Sequence, residues 1–369
     1  MTDARTASLR PRDIARRRLA TQNLIGPRCE TPLEVVQRLG AVQSQDYAGG
    51  KWAVGQRTRS AVDDDVEQAL TDGTILRTHV LRPTWHFVAA RDIRWMQELT
   101  APRVKAVMAS YDKKLEIDEK VYARSNAVIE RALEGGKHLT RAELAMLLAA
   151  RVGPLGTQRL AHLVMRAELD AMICSGVRRG KQFTYALVEE RAPRARPLER
   201  DEALSELTTR YYTTRGPATI QDFSWWSGLT VSDAKKGVES LGTLLEQTTV
   251  DGRKYWFSGA TPSLKGSTTA AHLLPNYDEY FIGLKDRSAI QELVKGRVVG
   301  LPGEMSFANI VVADGQLVGG WTRSVTSRIA RLHVRLAAKI TAGQLRAIEA
   351  QARRYGVFLK LPVALEVTA

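Results

Sequence analysis

Apolar residues recur at helical spacing after three similar helix-start signals. Each signal is a threonine followed, three positions later, by an acidic residue, which is the pattern of a capping box. The three pairs are Thr31 with Glu34, Thr140 with Glu143, and the weaker Thr230 with Asp233. Leu144, Leu147 and Leu148 show the helical spacing that follows. We therefore expect a helix after each threonine.

The region after residue 217 has the most complete pattern. The spacing predicts a helix over about 217–227, a short glycine-containing turn, and a second helix over about 231–242. Two strand-like segments, 244–249 and 254–257, then flank Asp251-Gly252, and an Asp-Gly pair between such segments is a strong hairpin signal. Helix, turn, helix and hairpin in this order predict a winged helix-turn-helix, a unit that reads DNA in many proteins.

Two earlier regions repeat this order of elements. In the first, helices are predicted after Thr31 and near 66–71, with strands at 75–80 and 84–88. In the second, helices are predicted after Thr140 and over 156–174, with a hairpin across 177–185. Helix-turn-helix units also serve as scaffolding, so one copy is weak evidence of DNA binding, whereas three copies in one chain favour it.

The C-terminal part has a β-rich pattern. Residues 310–318 predict a hairpin around Asp314-Gly315, and a helix near 342–354 precedes a last strand. Segment 331–336 alternates strictly, which predicts a half-buried strand. Leu332, Val334 and Leu336 share one face, and Arg331, His333 and Arg335 share the other. The basic face is either solvated surface or a track for DNA phosphates.

The predicted fold class is therefore α+β, with three tandem winged helix-turn-helix units and a C-terminal β-barrel-like element. The predicted domains are 1–100, 101–195, 196–262 and 263–369. The second boundary falls at a stretch rich in proline and arginine, residues 192–197, which is typical of a linker.

Charge narrows the choice of partners. The 369 residues include 54 Lys plus Arg and 40 Asp plus Glu, a net charge of +14. A surface this basic favours a polyanion such as nucleic acid, although a generally arginine-rich protein would also be basic. Two cysteines and six histidines show no metal-ligand spacing, so we expect no metal and no cofactor. A polar N-terminus and the lack of a long apolar run lead us to expect a cytoplasmic protein without membrane contact.

Two neutral amides stand one residue apart in Gln43-Ser44-Gln45, directly before Asp46. A carboxamide does not take up a proton near neutral pH, but its donor and acceptor can hold a water molecule or a base edge. A catalytic centre built on these amides would position groups rather than deprotonate them. The amides could instead cap the end of a helix.

Further polar residues follow in the same region. Arg77, His79, Arg82 and His86 lie on the predicted strands near 75–88 and are candidates for DNA contact. These residues could instead have only structural roles, His86 as a core histidine and the arginines as partners of nearby carboxylates.

Three stretches, 39–46, 76–96 and 273–287, resemble the AlkZ-type winged-helix DNA glycosylases in a consistent order along the chain. The resemblance implies a concave DNA-binding surface made of three winged helices. It also implies excision of alkylated guanines, including bulky N7 adducts and interstrand crosslinks. The catalytic motif of the family is Gln, an aliphatic residue, then Gln (or Asp), and it falls on Gln43 and Gln45. Ser44 departs from the aliphatic pattern, which we expect to change packing more than chemistry.

The chemistry implied by the resemblance suits amides. N7-alkylguanine already carries a positive charge, so it leaves as a neutral base without a general acid. The protein would then need to place a water molecule behind the sugar carbon, with Gln43 holding it and Gln45 orienting it or contacting the nucleotide. Asp46 could stabilise the cationic sugar. No lysine is placed as a Schiff-base nucleophile, so we expect a monofunctional enzyme without lyase activity.

The partner expected from this resemblance is double-stranded DNA with alkylated bases, bound by a monomer. Arg331, His333, Arg335 and the hairpin at Asp314-Gly315 are further candidates for DNA contact. The alternative is a non-catalytic winged-helix protein such as a transcription regulator. A regulator usually carries one reading unit per protomer and dimerises on a two-fold site, whereas three units favour a single wrapped site.

Overall fold

A computed structural model describes residues 9–259, 269–295 and 309–368 of the chain. The helices are α1 (Pro11–Thr21), α2 (Pro32–Leu39), α3 (Tyr47–Gly55), α4 (Asp63–Thr71), α5 (Ile93–Lys114), α6 (Glu119–Leu133), α7 (Arg141–Val152), α8 (Thr157–Leu169), α9 (Val188–Arg191), α10 (Arg200–Arg215), α11 (Ile220–Ser227), α12 (Val231–Leu241), α13 (Glu279–Ile282) and α14 (Ala342–Leu359). The strands are β1 (Ala41–Gln43), β2 (Ile75–Val80), β3 (Arg82–Ala89), β4 (Leu139–Thr140), β5 (Ile173–Ser175), β6 (Thr184–Leu187), β7 (Leu245–Val250), β8 (Arg253–Ser258), β9 (Ala271–Leu274), β10 (Ile310–Ala313), β11 (Gln316–Val325), β12 (Ala330–Leu336) and β13 (Val363–Thr368). The fold is mixed α+β, as predicted.

The chain divides into two compact units. Described residues of the first unit fall in 9–66, 208–226 and 230–368, and those of the second in 67–207 and 227–229. The four-domain division stays a prediction, and its boundary at 262/263 lies outside the described residues. No described helix is long and apolar enough to cross a membrane.

The predicted caps are present. The Thr140 hydroxyl accepts a hydrogen bond from the backbone nitrogen of Glu143. In return, the Glu143 carboxylate accepts one from the backbone nitrogen of Thr140 at 2.7 Å. Thr230 and Asp233 form the same reciprocal pair. Thr31 also caps α2, but the Glu34 carboxylate accepts from the nitrogen of Glu30 instead. These caps satisfy backbone N–H groups that the first helical turn leaves open.

In the first unit a five-stranded sheet has the order β13-β12-β11-β10-β9. The pair β12–β13 is parallel and the other pairs are antiparallel. The hairpin predicted at Asp314-Gly315 joins β10 to β11, and both turn residues have the positive φ that such two-residue turns need. The alternation in β12 is also confirmed, because Leu332 and Val334 are buried while Arg331 and Arg335 are exposed.

The prediction of a β-barrel-like element is wrong. Among the described residues the sheet is open, with β13 and β9 at its edges. The reason is α14, which connects β12 to the parallel strand β13 and packs against β9 and β13. The helix thus covers apolar sheet residues that closure into a barrel would otherwise bury.

A cluster of aromatic rings joins α3, α14 and the sheet. The Trp52 ring lies 5.0 Å from Tyr355 and 5.2 Å from Phe358, and Trp321 lies 5.6 Å from Tyr355. The Trp52 indole donates to the Leu273 carbonyl at 2.7 Å. Helix α3 was not predicted, and its packing against α14 holds it in place. The two helices are in close contact, since a Cβ atom at Gly55 would lie 2.3 Å from the Phe358 ring.

The elements predicted for the third repeat are present as α11, α12 and the hairpin β7–β8, with Asp251-Gly252 at its turn. The described residues show this order of elements, and their interpretation as a winged helix stays a prediction. In the second unit, strands β2 and β3 also match their predicted bounds closely.

In the second unit, one predicted helix is shorter than expected. Helix α8 ends at Leu169 instead of near 174, since Ala171 adopts a left-handed φ of 55° that stops the helix. Strand β5 therefore begins at Ile173. The hairpin predicted across 177–185 is present: Arg179 and Gln182 are joined by two backbone hydrogen bonds of 3.1 Å, and β6 pairs antiparallel with β5. Apolar residues of α6, α7 and α8, including Ile129, Leu144 and Leu163, form the core of this unit.

Candidate active site around Gln43-Ser44-Gln45

The amide segment lies between a buried strand and a helix of the first unit. Gln43 ends β1 and is only 5% exposed, and Ser44 is fully buried. Gln45 is exposed, and Asp46 is the N-cap of α3. The two amides thus occupy different environments, one inside the unit and one at its surface. Because the Ser44 position is buried, the departure from an aliphatic residue falls on a packing position.

The strand is held by Glu279, which is fully buried. One carboxylate oxygen accepts from the backbone nitrogen of Gln43 at 2.9 Å. The other accepts from Arg215 at 2.6 Å and from the Trp226 indole at 2.8 Å. Arg215 also donates to the Leu39 carbonyl at 2.8 Å. A buried ion pair and its hydrogen bonds therefore fix the backbone that leads into the amide motif.

The far end of α3 is held by the neighbouring acid, Asp278. Its carboxylate forms two hydrogen bonds of 2.8 Å with the guanidinium of Arg57, and both side chains are buried. Arg57 donates in addition to the Ala53 carbonyl, within α3, at 2.8 Å. Residues 273–287, recognised in the sequence by resemblance alone, thus supply two adjacent acids that secure both ends of β1–α3.

Asp46 has its own partners. One carboxylate oxygen accepts from the Gly49 nitrogen at 3.0 Å, and the other accepts from Arg323 of β11 at 2.6 Å. Burial and the charge of Asp46 raise the pKa of the Tyr277 phenol. The carboxylate is therefore fixed as a cap and ion-pair partner, an arrangement that orients the segment between Gln43 and α3.

The cationic face of β12 is also in the first unit. Arg331 and His333 line a groove of about 400 Å³ together with Thr322, Ser324 and Glu366 of the adjacent strands. The imidazole of His333 is within 3.0 Å of the Thr368 hydroxyl. The structure thus places these residues on one polar sheet face, as the alternation predicts.

The remaining predicted contact residues lie in the second unit and are largely packed. The Arg77 guanidinium lies 4.3 Å from the Trp85 ring and 4.6 Å from the Phe183 ring, and its side chain is 8% exposed. His79 pairs with the buried Glu168 and also contacts Trp85. Arg77, through a cation–π contact, and His79 therefore pack against the same ring, that of Trp85.

His86 and Arg82 complete this set. His86 is fully buried, with its Nδ1 2.9 Å from the Thr84 carbonyl, while Arg82 is half-buried. The burial of His86 agrees with its interpretation as a core histidine, whereas the Arg77 guanidinium lies against aromatic rings. Their roles in DNA contact stay predictions.

Sequence reasoning missed the residues that hold the motif. Asp278 and Glu279 stood within a recognised stretch, and two acids beside buried apolar residues are a signal for internal ion pairing. Arg57, Arg215 and Arg323 gave no such signal, since their partners are far away in the chain. Among the described residues, no group of three His, Cys, Asp or Glu side chains could hold a metal ion.

Comparisons with known proteins identify the family of this chain. The family model "DNA glycosylase AlkZ-like" matches residues 36–358, so the chain belongs to the AlkZ-like DNA glycosylase family. A curated relative, the "Interstrand DNA cross-link repair glycosylase" of Streptomyces sahachiroi, is 24% identical over 303 residues, which are 78% of this chain and 81% of the relative. The solved structure of Streptomyces sahachiroi DNA glycosylase AlkZ matches with a TM-score of 0.77 and 22% identity, covering 97% of this chain and 100% of that one.

Proposed function

We propose that this protein is a monofunctional DNA glycosylase that removes N7-alkylated guanine from double-stranded DNA through a water molecule positioned by Gln43 and Gln45. The observation that carries the proposal is the rigidly held Gln43, whose backbone is tied to the buried Glu279 at 2.9 Å. Family membership supports the reaction class.

The reaction balances without a general acid. The bond between the sugar carbon C1′ and N9 breaks, and its electron pair neutralises the positive ring of N7-alkylguanine. The oxygen of the placed water bonds to C1′, and its proton passes to solvent. The products are an abasic sugar, the neutral alkylated base and a proton. Fixed geometry of this kind lowers a barrier by up to about 7–11 kcal/mol.

The two amides have distinct roles in this proposal. Buried Gln43 holds the water, and exposed Gln45 orients it or contacts the damaged nucleotide. Asp46 acts on the sugar cation only at a distance, since Arg323 and the Gly49 nitrogen already occupy its carboxylate. Neutral amides are sufficient because the leaving group already carries the charge that drives bond cleavage.

The substrate range extends to bulky N7 adducts and interstrand crosslinks in this proposal. The curated relative is named for the repair of interstrand crosslinks, and Gln45, exposed beside α3, leaves one side of the motif open to solvent. The protein acts as a monomer on DNA in the cytoplasm and needs no cofactor.

The test is incubation of the purified protein with duplexes that carry one N7-methylguanine, one bulky N7 adduct or one crosslink. Hot alkali then cleaves the strand at each abasic site. Abasic product from at least one substrate supports the proposal. DNA binding without abasic product from any of the three would instead favour the non-catalytic regulator.

A further inference from the structure

A second cationic groove lies in the first unit, on the third helix-turn-helix and hairpin. It has a volume of about 570 Å³ and opens to solvent. Helix α12 contributes Lys235, the hairpin contributes Arg253 and Lys254, and the segment after α13 contributes Lys285. All four cations come from exposed positions.

The walls of the groove are fixed by buried hydrogen bonds. Asp222 of α11 is fully buried, and one of its carboxylate oxygens accepts from the backbone nitrogens of Lys285 and Asp286 at 2.8 and 2.7 Å. The other oxygen accepts from the Thr219 nitrogen at 2.9 Å. The hairpin is joined to the start of α11 by a pair of backbone hydrogen bonds between Trp256 and Ala218, of 2.9 and 3.0 Å. Three of the four segments that line the groove are therefore linked to one another by hydrogen bonds.

Both acids at this groove already have partners. The Asp222 carboxylate is satisfied by backbone groups, and Asp286 pairs with Arg253. Within the described ranges, no carboxylate forms an ion pair with Lys235, Lys254 or Lys285. Lys254 lies 5.8 Å from the ring centre of Trp256. Three lysine charges thus remain available to an anion at this surface.

We propose that this groove binds the phosphodiester backbone of double-stranded DNA, as a contact surface separate from the Gln43-Ser44-Gln45 segment. The inference rests on the proposed function, which makes DNA the substrate. Lysines are compact charges that contact phosphates without reading the base sequence. A helix and a hairpin that present them from two walls suit a long polyanion, because successive phosphates can occupy an open groove.

The experiment compares DNA affinity between matched variants. Lys235→Ala, Lys254→Ala and Lys285→Ala are combined in one protein, and Lys236→Ala is the control, because Lys236 is an exposed neighbour on α12 that does not line the groove. Fluorescence anisotropy with an undamaged duplex measures Kd from low to moderate salt. Thermal unfolding confirms that each variant is folded.

The triple variant should bind DNA at least about tenfold more weakly, and the slope of log K against log salt should fall by roughly one for each lost lysine. The control should keep the slope of the unaltered protein. An unchanged slope in a folded triple variant would overturn the proposal. So would inorganic phosphate at low millimolar concentration displacing the duplex, since the groove would then be a site for a small anion.

This readout is independent of catalysis. If the unaltered protein excises no base, the proposed function fails while the difference in salt slope still stands. If excision occurs and the slope is unchanged, only the groove assignment fails.

Discussion

Glu279 accepts a hydrogen bond from the backbone nitrogen of Gln43 at 2.9 Å, across 236 positions of the sequence. The same carboxylate pairs with Arg215, and both side chains are fully buried. A charged pair inside the unit is therefore directly coupled to the residue that carries the proposed water. This contact links the stability of the fold to the geometry of the site.

Glu279→Gln should destabilise the protein strongly. The amide leaves the buried Arg215 without its counter-charge, and breaking one partner of a buried pair typically costs about 3–5 kcal/mol. Urea unfolding measures the change in the free energy of unfolding. Glu292→Gln is the matched control, because its pair with Arg12 is exposed and is worth less than about 1 kcal/mol. Equal losses in both variants would refute the role of the buried pair.

Arg323→Ala tests the orientation of the motif. The Arg323–Asp46 pair is partly exposed, with side chains 16% and 26% accessible, so its loss should cost no more than about 1 kcal/mol of stability. Excision under single-turnover conditions should nevertheless slow by roughly tenfold or more, because even a small displacement of catalytic groups lowers the reaction rate.

DNA affinity separates this positioning role from phosphate contact. Arg323→Ala should leave Kd for undamaged duplex unchanged, and Arg328→Ala, at an exposed position in the turn between β11 and β12, provides the control. A weaker Kd with an unchanged rate at saturation would contradict positioning.

His272 should make stability depend on pH. Burial, and then the charges of Arg28, Arg57 and Arg354, lower the pKa of His272 to about 3. Below about pH 6.5 this histidine is therefore protonated in the unfolded chain but stays neutral in the folded protein. The free energy of unfolding accordingly decreases as pH falls from about 6.5 toward 3.

The effect amounts to about 1.4 kcal/mol for each pH unit in that window. The difference in unfolding free energy between the unaltered protein and His272→Phe should be constant above pH 7. It should then shift by about 2 kcal/mol in favour of the variant between pH 6.5 and 5. Parallel curves for the two proteins over this range would show that His272 titrates normally.

Borohydride trapping tests the absence of lyase chemistry. Lys51 lies on α3 close to the amide motif in sequence, but its ammonium forms an ion pair with Asp63 at 2.7 Å and is 7% exposed. We expect no covalent complex between protein and abasic DNA on SDS gels, and strand cleavage only after alkali. A trapped complex that disappears in Lys51→Met would reverse this prediction.

Local patterns in the sequence were sufficient for several elements. The caps at Thr140 and Thr230, the turn at Asp314-Gly315 and the alternation in 331–336 each depend on neighbouring residues, and each is present in the structure. Their energetics are local, so the residue types alone predict them.

Long-range contacts could not be predicted in this way. Nothing near Gln43 or Asp46 in the sequence indicates Glu279 or Arg323, because these pairs form only when distant segments fold together. The open sheet has the same origin, since it depends on how α14 packs rather than on the strand pattern. The end of α8 depends on a left-handed alanine, for which the sequence gives no signal.

The most direct test of the central claim is the single-turnover rate of excision on a duplex with one N7-methylguanine. Gln43→Ala and Gln45→Ala are compared with Gln68→Ala, an exposed glutamine on α4. We predict that both motif variants lose at least about a hundredfold in rate, as expected when a group that positions a reactant is removed, while they bind DNA normally and Gln68→Ala is unaffected. Folded Gln43→Ala and Gln45→Ala proteins that excise at the unaltered rate would contradict the assignment of the water to these two amides.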